Sequence, residues 1–347
     1  MKRRHFVKTA AVSGVAAVFP GMAGLAAETV ASSAAVSVEQ LPPLSGELTL
    51  YLGRGEGGLY ENVLQAIEDR NPDLNLSIRR GPTAALANAI VAEAEAGIRR
   101  ADLFWAVDSG AIGLVADAGL VQTLPNDLTA QLQPTFRYSH WAPITGRIRT
   151  LPFNTAELTP GRVPDAIMEV PDSGLRVGWA PAYAAFQSFV TAMRLLEGRQ
   201  ATADWLQRTG SNARDYAGEL GVVMAVERGE VDIGFANHYY TLRLKAGNPD
   251  AKVALSFTRN DAGCLVNASG IMALGNGELA VNFIRYLLTR EVQNYLSTEA
   301  YEIPLVDGLA LPSGLPDLKT VAPPDIDLTR LADLRPTLDL MRDVGVL

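Results

Sequence analysis

The stretch FANHYYTLRL, residues 235–244, sets an amide, an imidazole and two phenols side by side as Asn237, His238, Tyr239 and Tyr240. Adjacent aromatic residues usually bury in a core or an interface, so composition alone decides nothing here. Position says more. VDIGFAN, residues 231–237, reads as a strand that runs straight into the tyrosines. Inside a strand, neighbouring side chains point to opposite faces. Just past its carboxyl end, where the chain turns into a helix, both rings can converge on one point. Arg54 follows a strand-like run in the same way, as do Asp108 after ADLFWAV and Phe153 after GRIRTLP. Ligands of α/β sheets bind beyond the carboxyl ends of strands. Four strand ends therefore offer polar or aromatic groups to one cleft.

The elements that would hold those groups alternate along the chain. GELTLYLGR (46–54) and LNLSIRRG (74–81) read as strands, and ADLFWAVD (101–108) as a short buried one. Between the first two, LYENVLQAIEDRN (59–71) carries Leu59, Val63, Leu64 and Ile67 at helical spacing. AALANAIVAEAEAGI (84–98) is a helix stopped by Gly97, and SGAIGLVADAGL begins another. GRIRTLPFN (146–154) is a further strand, followed by helices at 186–198 and 221–230. ELAVNFIRYLLTREVQNYLS (278–297) is the most periodic helical segment. With 347 residues this predicts an α/β protein of two units.

Other chemistries are poorly served. Cys264 is the only cysteine, which leaves no internal disulfide. The three histidines are His5, His140 and His238, too few for a His-rich zinc site. No CxxC, P-loop, GxSxG or HExxH pattern occurs, and no nucleophile–base pair suggests an enzyme. The start, MKRRHFVKTAAVSGVAAVFPGMAGLAAE, has a basic head, an apolar middle and a small-residue end. That pattern predicts an export signal over 1–26. Arg3 and Arg4 followed by Phe6 fit the twin-arginine type. A linker over 27–45 would follow. Losing Lys2, Arg3, Arg4 and Lys8 takes four positive charges from a net −8 and leaves about −12. Such a charge speaks against nucleic acid and anionic lipid as partners.

Several stretches together resemble one family: LYLGRGEGGLYENVLQAIED, RADLFWAVDSGAIGLVADAGLVQTLP, AVERGEVDIGFANHYYTLR, DAGCLVNASGIMALG and LAVNFIRYLLTREVQNYLS. In this order they are similar to the periplasmic ferric-iron-binding proteins of ABC importers. The resemblance covers nearly all of the chain beyond the export signal. It implies a type II periplasmic binding protein, with two α/β lobes joined by a hinge and a ligand cleft between them. One lobe would comprise 46–145 plus 269–312, the other 146–268 plus 313–347. It further implies a monomer, peripheral to the membrane, that hands ferric iron or a small ferric chelate to permease subunits.

In that light the paired phenols have a use. Fe³⁺ is a hard ion that prefers anionic oxygen. Ionising a phenol at pH 7 costs about 4 kcal/mol, and a trivalent cation can supply it. The family's tyrosine pair maps onto Tyr239 and Tyr240, and its amide onto Asn237. Departures from the family are also plain. Phe153 stands where many members have a third tyrosine, Gly55 and Glu56 where some have His or His-Tyr, Val107 where some have a ligand Glu, and Glu219 where an Asn occurs. Two arrangements would complete the metal's sphere. In one, Arg54 and Arg149 hold a synergistic anion such as carbonate. In the other, Glu56, Asp108 or Glu219 reach the metal or its surroundings. Humbler roles also exist: Arg54 or Arg149 pairing with Asp108 or Glu219, Asp108 capping a helix, Glu56 at a helix start, and Tyr183 as packing, though it could also contribute a cleft hydroxyl. A cleft for an organic anion, a phosphonate or an iron chelate is the alternative on the same fold, and ligand sensing is the alternative to transport.

Overall fold

The computed structural model describes residues 35–53 and 58–347. The expected export segment, the linker up to residue 34, and Arg54, Gly55 and Glu56 lie outside the described residues. Strands β1 (Gly46–Gly53), β2 (Leu74–Gly81) and β3 (Leu103–Ala106) run parallel in the order β2-β1-β3. The remaining strands are β4 (Ala142–Asn154), β5 (Val177–Trp179), β6 (Ala213–Asp215), β7 (Ile233–Gly234), β8 (Ala236–Asn237), β9 (Val253–Ser256), β10 (Val266–Ala273) and β11 (Ile303–Pro304).

β4 organises the sheet. Its first part, Ala142 to Ile148, pairs antiparallel with β10, and β11 pairs with it at Thr145 and Gly146. Its second part, Arg149 to Asn154, pairs antiparallel with β8, β9 and β7. β10 continues to β3 on the first side, and β7 continues to β5 and β6 on the other. One strand thus serves two half-sheets and passes from the first to the second between Ile148 and Arg149. Buried on both faces, β4 reads as a near-continuous buried run, with Arg147 alone half-exposed.

Helices follow the expected periodicity where a single face is apolar. The helix Leu59–Arg70 buries Tyr60, Val63, Leu64 and Ile67, and the Tyr60 ring stacks on Trp105 at 4.4 Å between centroids. Two expectations change. The long segment 278–297 is two helices, Gly277–Leu287 and Arg290–Glu299. Thr289 turns extended between them, donates its hydroxyl to the Tyr286 carbonyl at 2.7 Å, and is wholly buried. The hydroxyl thus satisfies a carbonyl that the broken helix leaves open. The strand expected at 231–237 is likewise split at Phe235, whose ring enters an aromatic cluster with Phe186, Phe189 and Trp205.

After β11 the chain returns to the far side. The short helical turn Leu328–Ala332 lies on the helix Ser109–Asp117. The helix Arg335–Asp343 then packs on Ala184–Glu197, where Thr191 bonds Thr337 at 2.9 Å and Arg194 pairs with Asp333 at 2.6 Å. Gly113 makes the first of these contacts possible, because a Cβ there would lie 2.3 Å from the Thr329 carbonyl oxygen. Gly113→Ala is therefore expected to destabilise the protein by about 1–3 kcal/mol in urea unfolding. Gly161→Ala, whose Cβ would meet nothing within 4 Å, is the control and should stay within about 0.5 kcal/mol of wild type.

Candidate functional site

The tyrosine pair sits where the second half-sheet ends. Asn237 closes β8, with φ −70° and ψ 144°, and the helix His238–Gly247 begins at the next residue. Register fixes this point, because Asn237 pairs with Arg149 and Ala236 with Thr150 on β4. Tyr239 and Tyr240 thus occupy the first helical turn. Successive residues on a helix point about 100° apart, yet these two rings lean together, with centroids 4.6 Å apart and planes at 52°. The Asn237 amide nitrogen donates to the Tyr239 hydroxyl at 3.3 Å. The guanidinium of Arg243 lies 4.7 Å over the Tyr239 ring.

A third phenol joins them. Tyr183 directly precedes the helix Ala184–Glu197, and its hydroxyl is 2.9 Å from that of Tyr240. The sequence leaves Tyr183 between packing and a cleft hydroxyl, and the geometry agrees with the second. The available signal was its place four residues after the end of β5, the same strand-end logic that singled out Tyr239. Burial pushes the Tyr240 phenol far above its ordinary value, and the neighbouring Tyr239 and Tyr183 add to the shift. Both effects keep the Tyr240 hydroxyl neutral at ordinary pH.

A cavity of about 580 Å³ opens beside the cluster, lined among others by Val107, Asp108, Arg147, Tyr183, Asn237 and Tyr239. Arg149 and Asn267 also line it. Residues 147 and 149 share one face of β4, so the R-x-R of GRIRTL was a readable sign of two cationic groups in the cleft.

The two buried charges under the tyrosines belong to each other. Arg149 and Glu219 have side chains 3% and 1% exposed and meet at 2.5 Å. The second Glu219 oxygen accepts the Asn237 backbone N–H at 2.8 Å. Arg149 also donates to the Ala185 carbonyl and lies over the Phe189 ring. Arg149 lines the cleft and Glu219 is buried behind it, and each already has its partner. Asp108 is in the cleft as well. It caps the helix Ser109–Asp117 by accepting from Ala111 N–H at 3.1 Å. Burial pushes its carboxyl up, while that N–H and the charge of Arg147 pull it partly back. His238 turns away from the cleft and is wholly buried, and burial holds its imidazole down at about 4, so it is neutral. Arg54 and Glu56 lie outside the described residues. Among the described residues no three His, Cys, Asp or Glu side chains converge as a metal cage.

One expectation is corrected. Phe153 stands next to the end of β4 but does not face the cleft. It lies within β4, 2% exposed, opposite Ile233 and Ala254 and inside the continuous core. The second part of β4 is covered by β7 and β9, so the ring lies away from the cleft.

Comparison with known proteins places this geometry. Residues 48–301 match the family described as bacterial extracellular solute-binding protein. The chain belongs to that family. It is a solute-binding protein, not an enzyme. It is 30% identical over 302 residues to the Fe(3+)-binding periplasmic protein of Serratia marcescens, covering 83% of this chain and 88% of that one. It is 24% identical over 327 residues to the major ferric iron-binding protein of Neisseria meningitidis serogroup B, covering 90% and 97%. The fold is similar to that of iron-bound HitA from Pseudomonas aeruginosa, with a TM-score of 0.76 and 27% identity, over 86% of this chain and 99% of that one. The type II periplasmic binding fold is therefore shared.

Because Phe153 is in the core, Phe153→Tyr would bury a hydroxyl without adding a donor to the cleft. The expected result is a loss of about 1–3 kcal/mol in urea unfolding with no gain in metal affinity. A clear gain in affinity would mean that the ring at this position reaches the cleft.

Proposed function

We propose that this family member binds ferric iron through Tyr183, Tyr239 and Tyr240 in the periplasm and delivers it to an ABC permease. The observation that carries the reading is the meeting of the Tyr183 and Tyr240 hydroxyls at 2.9 Å with the Tyr239 ring packed alongside. The Serratia and Neisseria relatives are named as ferric-iron-binding proteins, which supports the choice of metal. The basic, apolar and small-residue pattern of residues 1–26 supports twin-arginine export to the periplasm. The half-sheets on either side of Ile148 and Arg149 act as the two lobes, and β4 is part of their hinge.

The chemistry is a displacement of protons. Each phenol costs about 4 kcal/mol to ionise at pH 7 from its ordinary value, and more where it is buried. A trivalent ion repays this because its charge acts directly on the oxygen it binds, and divalent ions repay less. Three phenolates balance three positive charges, so the core of the site is neutral without a further anion. A carbonate held by Arg54 and Arg149 is the other way to complete the sphere. It would have to take Arg149 from Glu219, leaving a buried carboxylate without its cation at a cost of about 3–5 kcal/mol. A chelated ferric ion has one specific observation in its favour: the cavity of about 580 Å³, with Arg147 on its wall, is larger than a bare ion needs.

Titration of the metal-stripped protein with ferric citrate should produce one tyrosinate–iron band that saturates at one metal per chain, equally with and without bicarbonate. Replacing both Tyr239 and Tyr240 by Phe should abolish it. Tyr183→Phe should shift the band and weaken binding by at least about tenfold, or 1.4 kcal/mol. An unchanged band in Tyr183→Phe would remove that residue from the ligand set, and a requirement for bicarbonate would restore the carbonate arrangement.

The pH dependence has a fixed sign. A phenol is ordinarily protonated at neutral pH, burial raises that of Tyr240 further, and each phenol that binds the metal gives up its proton. Binding therefore releases protons and weakens as pH falls. At constant free ferric ion, log Kd should change by about 3 per pH unit between pH 6 and 8 if all three phenols ionise, and by about 2 if Tyr183 keeps its proton.

A further inference from the structure

We propose that His238 is a positioning residue: it latches the tyrosine-bearing helix to the crossing strand and to the Ala300–Glu302 segment, making metal loading and closure of the two half-sheets one event. The inference rests on the ferric reading of the tyrosine cluster.

The imidazole reaches two places that belong to neither tyrosine. Its Nδ1 accepts the backbone N–H of Ile148 at 3.2 Å. Ile148 is the last β4 residue paired to β10, and Arg149, the next, pairs with Asn237 of β8. His238 thus holds the strand at the step where it changes sheets. Since Nδ1 is an acceptor, Nε2 carries the proton, and it donates to the Tyr301 carbonyl at 2.6 Å.

Tyr301 is an unusual partner. Its φ is +57°, a left-handed conformation that is unfavourable for a non-glycine residue and persists only when its surroundings hold it. On one side His238 takes its carbonyl. On the other, Glu302 is 1% exposed and accepts the Tyr60 hydroxyl at 3.0 Å and the Thr145 hydroxyl of β4. Tyr60 and Thr145 both lie with the first half-sheet. Arg243, on the same helix as His238, donates to the Ala300 carbonyl at 2.7 Å while its guanidinium covers Tyr239. The helix that bears the phenols therefore starts from a strand of the second half-sheet and is bonded to three points anchored in the first.

A histidine satisfied in a core would matter to stability alone. A latch has a further consequence: a metal that fixes Tyr239 and Tyr240 also fixes the ring between them and the hinge. Three readouts on the mature, full-length chain separate these roles: the tyrosinate–iron band, the rate of iron loss to excess chelator, and the iron-dependent fall in radius of gyration in solution scattering. His238→Leu should keep the band, release iron at least tenfold faster, and show less compaction than wild type. His238→Gln, whose amide can both accept from Ile148 and donate to Tyr301, should recover most of both effects. Folded His238→Leu with release within twofold of wild type and equal compaction would overturn the latch. If that variant does not fold, wild-type hydrogen exchange decides. Exchange of the Ile148 amide should slow at least tenfold on iron loading, and equal rates with and without iron would overturn the proposal. Absence of the band in wild type would instead sink the ferric reading itself.

Discussion

A strand buried on both faces must satisfy every backbone hydrogen bond inside the protein, and β4 carries this demand over thirteen residues. No single partner answers it. β10 and β11 serve the first part, while β8, β9 and β7 serve the second. The change of partner between Ile148 and Arg149 forces β8 to end opposite Arg149, and so fixes where the helix behind it begins. Tyr239 and Tyr240 are placed by that register. Tyr183 follows from it at one remove, since β5 joins the same half-sheet through β7. The cluster of three phenols is a product of strand pairing before it is a product of side-chain contacts.

The same crossing explains the buried ion pair. A guanidinium that leaves β4 at Arg149 points into protein, where an unpaired charge would cost several kcal/mol. Glu219, at the start of the helix Glu219–Glu227, neutralises it and uses its second oxygen on the Asn237 N–H. A carboxylate at this position is more than a neutralising charge. It locks the residue directly ahead of the tyrosine-bearing helix, and it removes Arg149 from the pool of anion anchors. An amide at position 219 could accept the Asn237 N–H but would leave the guanidinium charge unbalanced.

Much of this was legible in the sequence, for reasons that can be named. Period-2 and period-3.6 patterns located β2 and the helix Leu59–Arg70 closely, because each has one buried face. The tyrosine pair stood out because two phenols follow a strand directly. Tyr183 was open between packing and a cleft hydroxyl, because APAYAAF has no pattern of its own; its contact with Tyr240 arises where the ends of β5 and β8 meet in space. Phe153 was misplaced because the sequence shows it only as a residue close to a strand's end, and only sheet pairing shows that β7 and β9 cover this part of β4. The break at Thr289 was hidden for a related reason. Apolar residues continue across it, and the side-chain hydroxyl that ends the first helix shows no periodic signal. Pairing between distant strands and local side-chain capping are the two kinds of information that periodicity omits.

On the ferric reading, phenols do what carboxylates in the same place would not. A cleft lined by free carboxylates carries standing negative charge at neutral pH and attracts any divalent cation. Here Asp108, which lines the cleft, caps a helix, and Glu219, buried behind it, is paired with Arg149. The phenols are neutral until they lose protons, and burial makes that loss harder for Tyr240. Anionic donors therefore exist only for a cation able to displace the protons. Burial, which would weaken a site made of permanent charges through desolvation, sharpens this one, because the proton cost rises for every competing ion while the gain falls with its charge. Selectivity then comes from the difference between two large opposing quantities, both set by how deeply the strand crossing sinks the tyrosines into the protein.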